Sequence, residues 1–241
     1  MKQIKNISSL YVQNEWRDDN LTFIVGLRGD KHNKLDNINI IPRSSIRYRI
    51  GENTNLRAAY SMGYRAPEII ASDLDIPVIG GSATITQLGE NLKREYSNSV
   101  NGGIDFSLYN EKIYSYFLLE GFYTKINRVF IVEETGTDAA GNTIMTRRNG
   151  DGAYVYGLNL ETTIQPINWL ELQGGFTWQK SRYTEPVSWS GEDYVAPVKR
   201  MLRSPDTYGF LSATATPKKS YAVSLSGVYT GSMLTPHFAG A

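Results

Sequence analysis

Residues 153–165 form a long segment with one apolar and one polar side. Its even positions carry mostly apolar side chains and its odd positions mostly polar ones: Tyr154, Tyr156, Leu158, Leu160 and Ile164 against Gly157, Asn159, Glu161, Thr163 and Gln165. Side chains alternate between the two faces of a strand, so this pattern predicts a strand with one apolar face. A tilted strand that crosses a bilayer needs about 9 to 11 residues, whereas globular strands mostly have about 5 or 6. The segment is therefore typical of the wall of a membrane β-barrel.

The same alternation recurs along the chain and predicts about ten long strands and no comparable helix. The predicted strands cover residues 10–16, 21–30, 40–50, 54–64, 96–108, 112–131, 153–165, 169–183, 206–216 and 221–230. Residues 114–122 are apolar on both faces, which leaves open whether other protein covers their inward side. The predicted fold class is all-β: a fragment of a transmembrane, antiparallel, up-and-down β-barrel.

Short and long connections alternate between the predicted strands. The short turns are 17–20, 51–53, 109–111, 166–168 and 217–220, and the long polar connections are 31–39, 65–95, 132–152 and 182–205. Bacterial barrels have short periplasmic turns and long extracellular loops, and connections of 20 to 30 residues are uncommon in a soluble sandwich. We expect ten strands to form an open sheet, because natural closure uses further strands.

Composition narrows the possible partners. The chain has 241 residues, a net charge of +1 and no cysteine, so nothing favours a nucleic-acid partner or a disulfide scaffold. No apolar run is long enough for a transmembrane helix. No apolar segment of an export signal follows Met1, and we expect the chain to be an internal piece of a longer exported precursor.

Aromatic residues cluster near both ends of the predicted strands. Trp16, Tyr64 and Trp178 are examples, and Trp169 and Tyr221 lie toward short turns. Two aromatic girdles at the membrane boundaries fit this distribution. The general preference of aromatic side chains for strands is the alternative explanation.

One group of motifs resembles the barrels of TonB-dependent receptors. The segment Gly63-Tyr64-Arg65-Ala66-Pro67, at the end of a predicted strand, is similar to the family segment that opens a long external loop. Residues 92–95, Leu-Lys-Arg-Glu, resemble the return from that loop. Weaker similarities lie at 11–16, 25–32, 41–43 and 203–205, in the family order.

The resemblance implies a function as well as a fold. Family members are active transporters of the outer membrane of Gram-negative bacteria, with barrels of about 22 strands plugged by an N-terminal domain. They take up iron–siderophore complexes, haem, cobalamin or glycans, with energy delivered by the TonB complex through the plug. Residues 1–241 would be part of one such barrel domain, roughly its tenth to nineteenth strand. The expected partners are outer-membrane lipid, the receptor's own plug, the TonB complex and the ligand.

No catalytic group, cofactor site or metal site is predicted. The two histidines, His32 and His237, are far apart in the sequence, and His32 is expected to be a solvated loop residue. Three acidic residues, Glu68, Asp73 and Asp75, could bind a hard cation through oxygen, but ordinary solvated loop acids are the favoured explanation.

Arginines form a basic stripe on the predicted inward face. Arg43, Arg47 and Arg49 share one parity in one strand, and Arg57 and Arg65 share the corresponding parity in the next. The stripe is either a docking surface for an anionic ligand or a set of ion-pair partners for acidic groups of the plug.

Ligand contacts in a plugged barrel come from the external loops and the upper wall. The candidates are Tyr64, Arg65, Tyr183, Trp189 and Tyr194, because aromatic rings and guanidinium groups suit planar ligands. Boundary anchoring is the competing role for Tyr64 and Tyr183.

The sequence thus favours an outer-membrane active transporter, most readily for an iron–siderophore. A passive porin is one alternative, which the predicted inward apolar residues Leu118 and Phe122 disfavour. A soluble β-sandwich binding module is another, and it would bury the apolar faces in pairs.

Overall fold

Strands make up the regular secondary structure of the described chain. A computed structural model describes residues 4–67, 84–110, 113–188, 196–218 and 220–235. The strands are β1 (Ile7–Arg17), β2 (Leu21–His32), β3 (Asn39–Ile50), β4 (Thr54–Arg65), β5 (Thr84–Leu88), β6 (Glu95–Tyr109), β7 (Tyr114–Asn127), β8 (Phe130–Thr137), β9 (Thr143–Asn149), β10 (Gly152–Ile167), β11 (Leu170–Val187), β12 (Val198–Arg200), β13 (Thr207–Lys218) and β14 (Tyr221–Thr230). Within these ranges no helix is long and apolar enough to cross a membrane.

Ten long antiparallel strands form one sheet in chain order. The order is β1-β2-β3-β4-β6-β7-β10-β11-β13-β14, and the short β12 continues the pairing of β11 beyond the start of β13. In the described part, β1 pairs only with β2 and β14 only with β13, so the sheet is open. The predicted antiparallel order and up-and-down connections of ten long strands are confirmed, and one predicted strand, 112–131, differs in extent.

Among the described residues, no second layer packs against the apolar face of this sheet. One row of directly paired residues crosses nine strands: Leu21, Tyr48, Leu56, Ile104, Leu119, Leu160, Phe176, Gly209 and Tyr229. Apart from the glycine, these side chains are 39% to 56% exposed. A soluble protein buries such residues, so this face is built for an apolar surrounding.

The adjacent row, one residue along each strand, lies on the polar face. It contains Thr22, Arg47, Arg57, Gly103, Glu120, Asn159, Thr177, Tyr208 and Thr230. Glu120 accepts hydrogen bonds from Asn101 (2.9 Å) and Asn159 (3.4 Å), and Asn159 accepts one from Thr177 (2.9 Å). Since a register slip of one residue would exchange the two faces, this alternation fixes the register.

Three of the long connections contain strands that the sequence did not predict, including the short β12. The predicted strand 112–131 is wrong as one element, because the chain leaves β7 after Asn127 and begins β8 at Phe130. Arg128 lies between them with a φ of 55°, a left-handed conformation that interrupts a strand. Strands β8 and β9 then pair antiparallel, and β5 adds to β9 in parallel, which makes a separate three-stranded sheet.

The small sheet adjoins the wall through a compact apolar cluster. Val129, Ile131 and Ala153 are buried there, and Ile126, Tyr183 and Met201 pack against them. The cluster lies where β7, β10 and β11 reach the long connections, here named the long-connection end of the sheet. The other end, with turns such as 51–53 and 168–169, is the short-turn end.

Candidate functional site

The predicted arginine stripe lies on the polar face, but its members have different environments. Arg43 hydrogen-bonds to Tyr11 and Gln13 of β1, and its guanidinium carbon is 4.8 Å from the centre of the Tyr11 ring. Arg49 donates a hydrogen bond to the main-chain carbonyl of Asp19 in the first short turn. These two arginines therefore hold neighbouring parts of the wall.

Arg57 has an acidic partner within the wall itself. Its guanidinium nitrogen is 2.6 Å from a carboxylate oxygen of Asp105 on β6, whose side chain is nearly buried. The other Asp105 oxygen accepts a hydrogen bond from Asn55 at 2.8 Å. The carboxylate that balances Arg57 is thus supplied by the neighbouring strand.

Arg47 is the member of the stripe whose guanidinium has no side-chain or main-chain partner among the described residues. It is exposed, and it lies directly opposite Arg57 in the β3–β4 register. Within the described ranges it has neither a hydrogen bond nor an ion pair. Like charges directly opposite each other on a sheet repel, so an anion beside Arg47 would stabilise this part of the wall.

A cavity of about 360 Å³ lies at the long-connection end, between β2, β3 and β4. The β2–β3 pairing continues to Asp30 and Asn39, whereas the β3–β4 pairing ends at Arg43 and Ser61, and the cavity lies beyond that last pair. The lining side chains include Arg28, Asp30, His32, Ile41, Tyr64 and Arg65. The predicted ligand residues Tyr64 and Arg65 are therefore brought together.

Asp30 is the polar centre of this cavity. It is 2% exposed, it accepts a hydrogen bond from Arg28 Nε at 2.6 Å, and the Tyr64 hydroxyl donates to its second oxygen at 3.2 Å. Burial of a carboxylate is costly without such partners. Arg28 and Asp30 were missed as site residues, although their shared parity at a strand end next to a long connection was a usable signal.

His32 is not a solvated loop residue. It is the last residue of β2, it is 1% exposed, and its Nδ1 accepts a hydrogen bond from the Lys34 amide at 3.1 Å. The expectation of a solvated side chain was wrong because β2 extends two residues beyond the predicted boundary. His32 thereby becomes part of the cavity lining.

Arg65 connects the cavity to the small sheet. Its Nε is 3.5 Å from Glu95, and its guanidinium carbon is 5.2 Å from the centre of the Phe130 ring. Half of its side chain stays exposed, so the group can contact a ligand and still hold Glu95. The Gly63–Pro67 segment and the 92–95 segment thus meet at one point.

One further predicted ligand residue, Tyr183, does not line this cavity. It packs instead against the apolar cluster of Val129, Ile131 and Ala153. Trp189, Tyr194, Glu68, Asp73, Asp75 and His237 lie outside the described residues. Among the residues that are described, no group of three or more histidine or acidic side chains is placed to hold a metal ion.

Comparison with known proteins identifies what the chain is similar to. The family model described as "TonB dependent receptor-like, beta-barrel" matches residues 2–235. No curated protein sequence matches the chain.

Several solved structures share the fold. The siderophore receptor PirA from Pseudomonas aeruginosa superposes with a TM-score of 0.66 at 19% identity, over 93% of this chain and 40% of that protein. The ferric-catecholate import receptor Fiu from E. coli K12 gives 0.67 at 14% identity, over 95% and 34%. The copper transporter OprC gives 0.64 at 11% identity, over 94% and 35%. The chain therefore spans well under half the length of each of these proteins.

Proposed function

The chain belongs to the TonB-dependent receptor β-barrel family, and from that membership we propose that it forms ten strands of the wall of an outer-membrane active transporter. Residues 1–241 would be part of a single barrel domain in the outer membrane of a Gram-negative bacterium. The plug, the TonB complex that acts through it, and membrane lipid would be its partners. Transport, and no enzymatic reaction, is the proposed activity.

The row of exposed apolar side chains across nine strands carries this proposal. Eight of its nine members are large apolar or aromatic residues, including Leu56, Leu160 and Phe176, and each is at least 39% exposed. Burying this surface in hydrocarbon removes it from water at a gain of about 25 cal/mol per Å². This exposure argues against a soluble β-sandwich, which would place a second sheet over the row.

The proposed substrate is an iron–siderophore or a comparably large, scarce nutrient. Ferric siderophores present planar chelating groups and often negative charge, which an exposed guanidinium and an aromatic ring bind well. Arg65 and Tyr64 offer these groups at the cavity, and Arg47 offers a further cation on the polar face. Several similar structures are siderophore receptors, which supports the substrate class, while OprC makes copper a competing cargo.

A passive porin remains the second candidate, and one local feature disfavours it. Leu118 and Phe122 share the polar-face parity of β7, and the Phe122 ring lies close over Gly157. A porin lumen is filled with water and lined by polar groups. Apolar side chains at mid-strand suit a lumen that other protein occupies, as a plug would.

Uptake by the complete receptor that carries this segment tests the proposal. It should be produced in a bacterial strain that lacks its own siderophore receptors and supplied with radioactive iron on catecholate or hydroxamate siderophores. Accumulation that stops when the proton gradient is collapsed supports active transport. Accumulation that persists without the gradient would identify a porin, and uptake of copper but of no siderophore would overturn the substrate class.

Arg47 and Arg49 give a matched pair for the docking surface. Arg47→Ala removes the arginine that has no hydrogen bond or ion pair among the described residues, whereas Arg49→Ala removes an arginine that is hydrogen-bonded to the turn at Asp19. If the stripe docks an anionic ligand, Arg47→Ala lowers ligand affinity about five- to tenfold and Arg49→Ala changes it less. Unchanged ligand affinity in Arg47→Ala would end the docking hypothesis.

A further inference from the structure

Toward its long-connection end, the apolar face changes from aliphatic to aromatic to cationic side chains. Along β11, Phe176 and Trp178 are followed on the same face by Lys180 and Arg182, since side chains two residues apart share a face. Opposite them on β10 the paired residues are Leu160, Leu158, Tyr156 and Tyr154, in the same direction. Hydrocarbon, interface and headgroup layers of a membrane prefer side chains in this order.

The spacing places the cations at headgroup height. Trp169, exposed in the turn before β11, and Trp178 near its other end are separated by about 30 Å at about 3.3 Å per residue. With a tilt of about 40° this span covers about 23 Å along the membrane normal, close to the apolar band of about 25 Å found in outer-membrane barrels. Lys180 and Arg182 then lie about 5 and 10 Å beyond Trp178.

The cationic group extends over several strands at this level. Arg182 is directly paired with Tyr154 on β10 and with Arg200 on β12, and Tyr154 is paired with Lys125 on β7. Lys125 is exposed, and the side chains of Lys180, Arg182 and Arg200 are between 23% and 33% exposed. These groups are therefore accessible from the side of the wall.

Three of these cations share one carboxylate, that of Asp206. Asp206 is 2.9 Å from Lys180 Nζ, but 3.6 Å from Arg182 and 3.5 Å from Arg200, which is longer than a charge-assisted hydrogen bond of about 2.7 to 2.9 Å. Arg182 and Arg200 also lie directly opposite each other, and like charges in that position repel. Lys180, Arg182, Arg200 and Asp206 together carry a net charge of two positive units, and no second carboxylate pairs with them in the described chain.

The donors of the two arginines are only partly used. Arg182 donates to the carbonyl of Ser181 at 2.8 Å, and Arg200 donates to the carbonyl of Ser232 at 2.9 Å. The Nε of Arg200 is buried and has no hydrogen-bond partner among the described residues. Each guanidinium has five N–H donors, so both retain capacity for an anion with several oxygens.

We infer that Lys180, Arg182 and Arg200 bind the phosphate of an anionic lipid headgroup at the long-connection end of the wall. A lipid fits this cluster better than a soluble anion does, because the cluster continues the exposed apolar face, where acyl chains would lie against Leu158 and Phe176. A phosphate monoester adds the negative charge that Asp206 alone does not provide, and it brings several acceptor oxygens for the guanidinium groups. The inference rests on the membrane setting of the proposed function.

Lipid retention by the purified complete receptor tests the site without any transport ligand. The receptor, in maltoside micelles, is titrated with dioleoyl phosphatidic acid, with dioleoyl phosphatidylcholine or with inorganic phosphate, and bound molecules are counted by native mass spectrometry. Phosphatidic acid is expected to bind at least tenfold more tightly than either of the others. Equal binding of phosphatidylcholine, or binding of inorganic phosphate as tight as that of phosphatidic acid, would overturn the inference.

Variants with opposite charge changes locate the binding. Arg182→Gln combined with Arg200→Gln should weaken phosphatidic acid binding about tenfold or more, since each cation near a headgroup is worth about fivefold. Asp206→Asn removes the competing carboxylate and should tighten binding. Arg148→Gln, which removes a cation ion-paired to Glu133 on the small sheet, is the matched control and should change it less than twofold.

Folding of each variant is checked by heat-dependent electrophoretic mobility. If the double arginine variant does not fold, Asp206→Asn and the lipid comparison on the unaltered receptor still decide the question. Phosphatidic acid binding that is the same in all folded variants would exclude the cluster as the site. Since no uptake is measured, a receptor that transports nothing can still bind the lipid, and a transporting receptor can fail to bind it.

Discussion

The guanidinium Nε of Arg65 lies 3.5 Å from a carboxylate oxygen of Glu95, and the other Glu95 oxygen accepts a hydrogen bond from the Phe130 amide at 2.5 Å. Arg65 is the last residue of β4, Glu95 the first of β6 and Phe130 the first of β8. One buried carboxylate thus joins the two ends of a long connection to the start of the small sheet. This contact fixes the small sheet to the wall beside the cavity.

We therefore expect Glu95→Ala to loosen β8. Removal of the carboxylate leaves the Phe130 amide without its acceptor, a loss of about 1 to 1.5 kcal/mol, which corresponds to roughly tenfold faster opening. Hydrogen exchange of the 130–137 segment, measured on the complete receptor, should speed up by about that factor. Glu133→Ala, which breaks a partly exposed ion pair with Arg148, should alter exchange less than threefold. Equal exchange in Glu95→Ala and the parent contradicts the assignment.

Two adjacent glycines of β6 should respond differently to the same substitution. A Cβ at Gly103 would lie 2.6 Å from the Leu119 carbonyl oxygen and 3.2 Å from the Glu120 Cβ, whereas one at Gly102 meets nothing closer than 3.5 Å. Gly103→Ala should therefore lower the free energy of unfolding by about 1 to 3 kcal/mol. Gly102→Ala should change it by less than about 0.5 kcal/mol. Unfolding by guanidinium in detergent, followed by tryptophan fluorescence, measures both, and equal effects would show that space at Gly103 is not required.

The strands of the wall could be predicted from the sequence because the alternation of polar and apolar residues is a local pattern. Neighbours such as Asn159 and Leu160 alternate in polarity along most of the long strands, and the observed register carries that alternation across the sheet. The same parity placed Arg57 and Asp105 on one face. It could not give their ion pair, because that depends on the β4–β6 register.

The small sheet could not be predicted in the same way. Residues Ile126, Val129 and Ile131 read as one continuous strand, and only the left-handed conformation of Arg128 separates β7 from β8. Such a conformation is unfavourable for arginine and leaves no mark in the sequence. The parallel pairing of Thr84–Leu88 with β9 joins segments about 60 residues apart, and no local pattern encodes that choice of partner.

The Asp206 cluster should make stability depend on pH in the acidic range. Burial opposes ionisation of this carboxyl, but the hydrogen bond from Lys180 and the charges of Arg200, Lys180 and Arg182 outweigh it, so the pKa of Asp206 is below its ordinary value. Because the pKa is lowered in the folded protein, the ionised carboxylate stabilises the fold at pH values above the ordinary pKa of an aspartate. That contribution is lost as the pH falls below about 4 and through the lowered pKa.

Asp206→Asn isolates this effect. The variant should be less stable than the parent between about pH 5 and pH 7, and the difference should shrink as the pH falls below about 4. Urea unfolding of both proteins across this range gives the difference directly. A difference that stays constant down to about pH 2, or that grows on acidification, has the wrong sign for a lowered pKa.

Tyr64 should serve a ligand through its ring and not through its hydroxyl. The hydroxyl already donates to Asp30 at 3.2 Å, while Arg28 holds the other Asp30 oxygen at 2.6 Å, so Asp30 keeps its stronger partner when the hydroxyl is removed. Tyr64→Phe should therefore keep siderophore affinity within about threefold, whereas Tyr64→Ala should lose about tenfold with the stacking surface. Equilibrium binding to the complete receptor measures both. An equal loss in the two variants assigns the contact to the hydroxyl, and no loss in either removes Tyr64 from the ligand site.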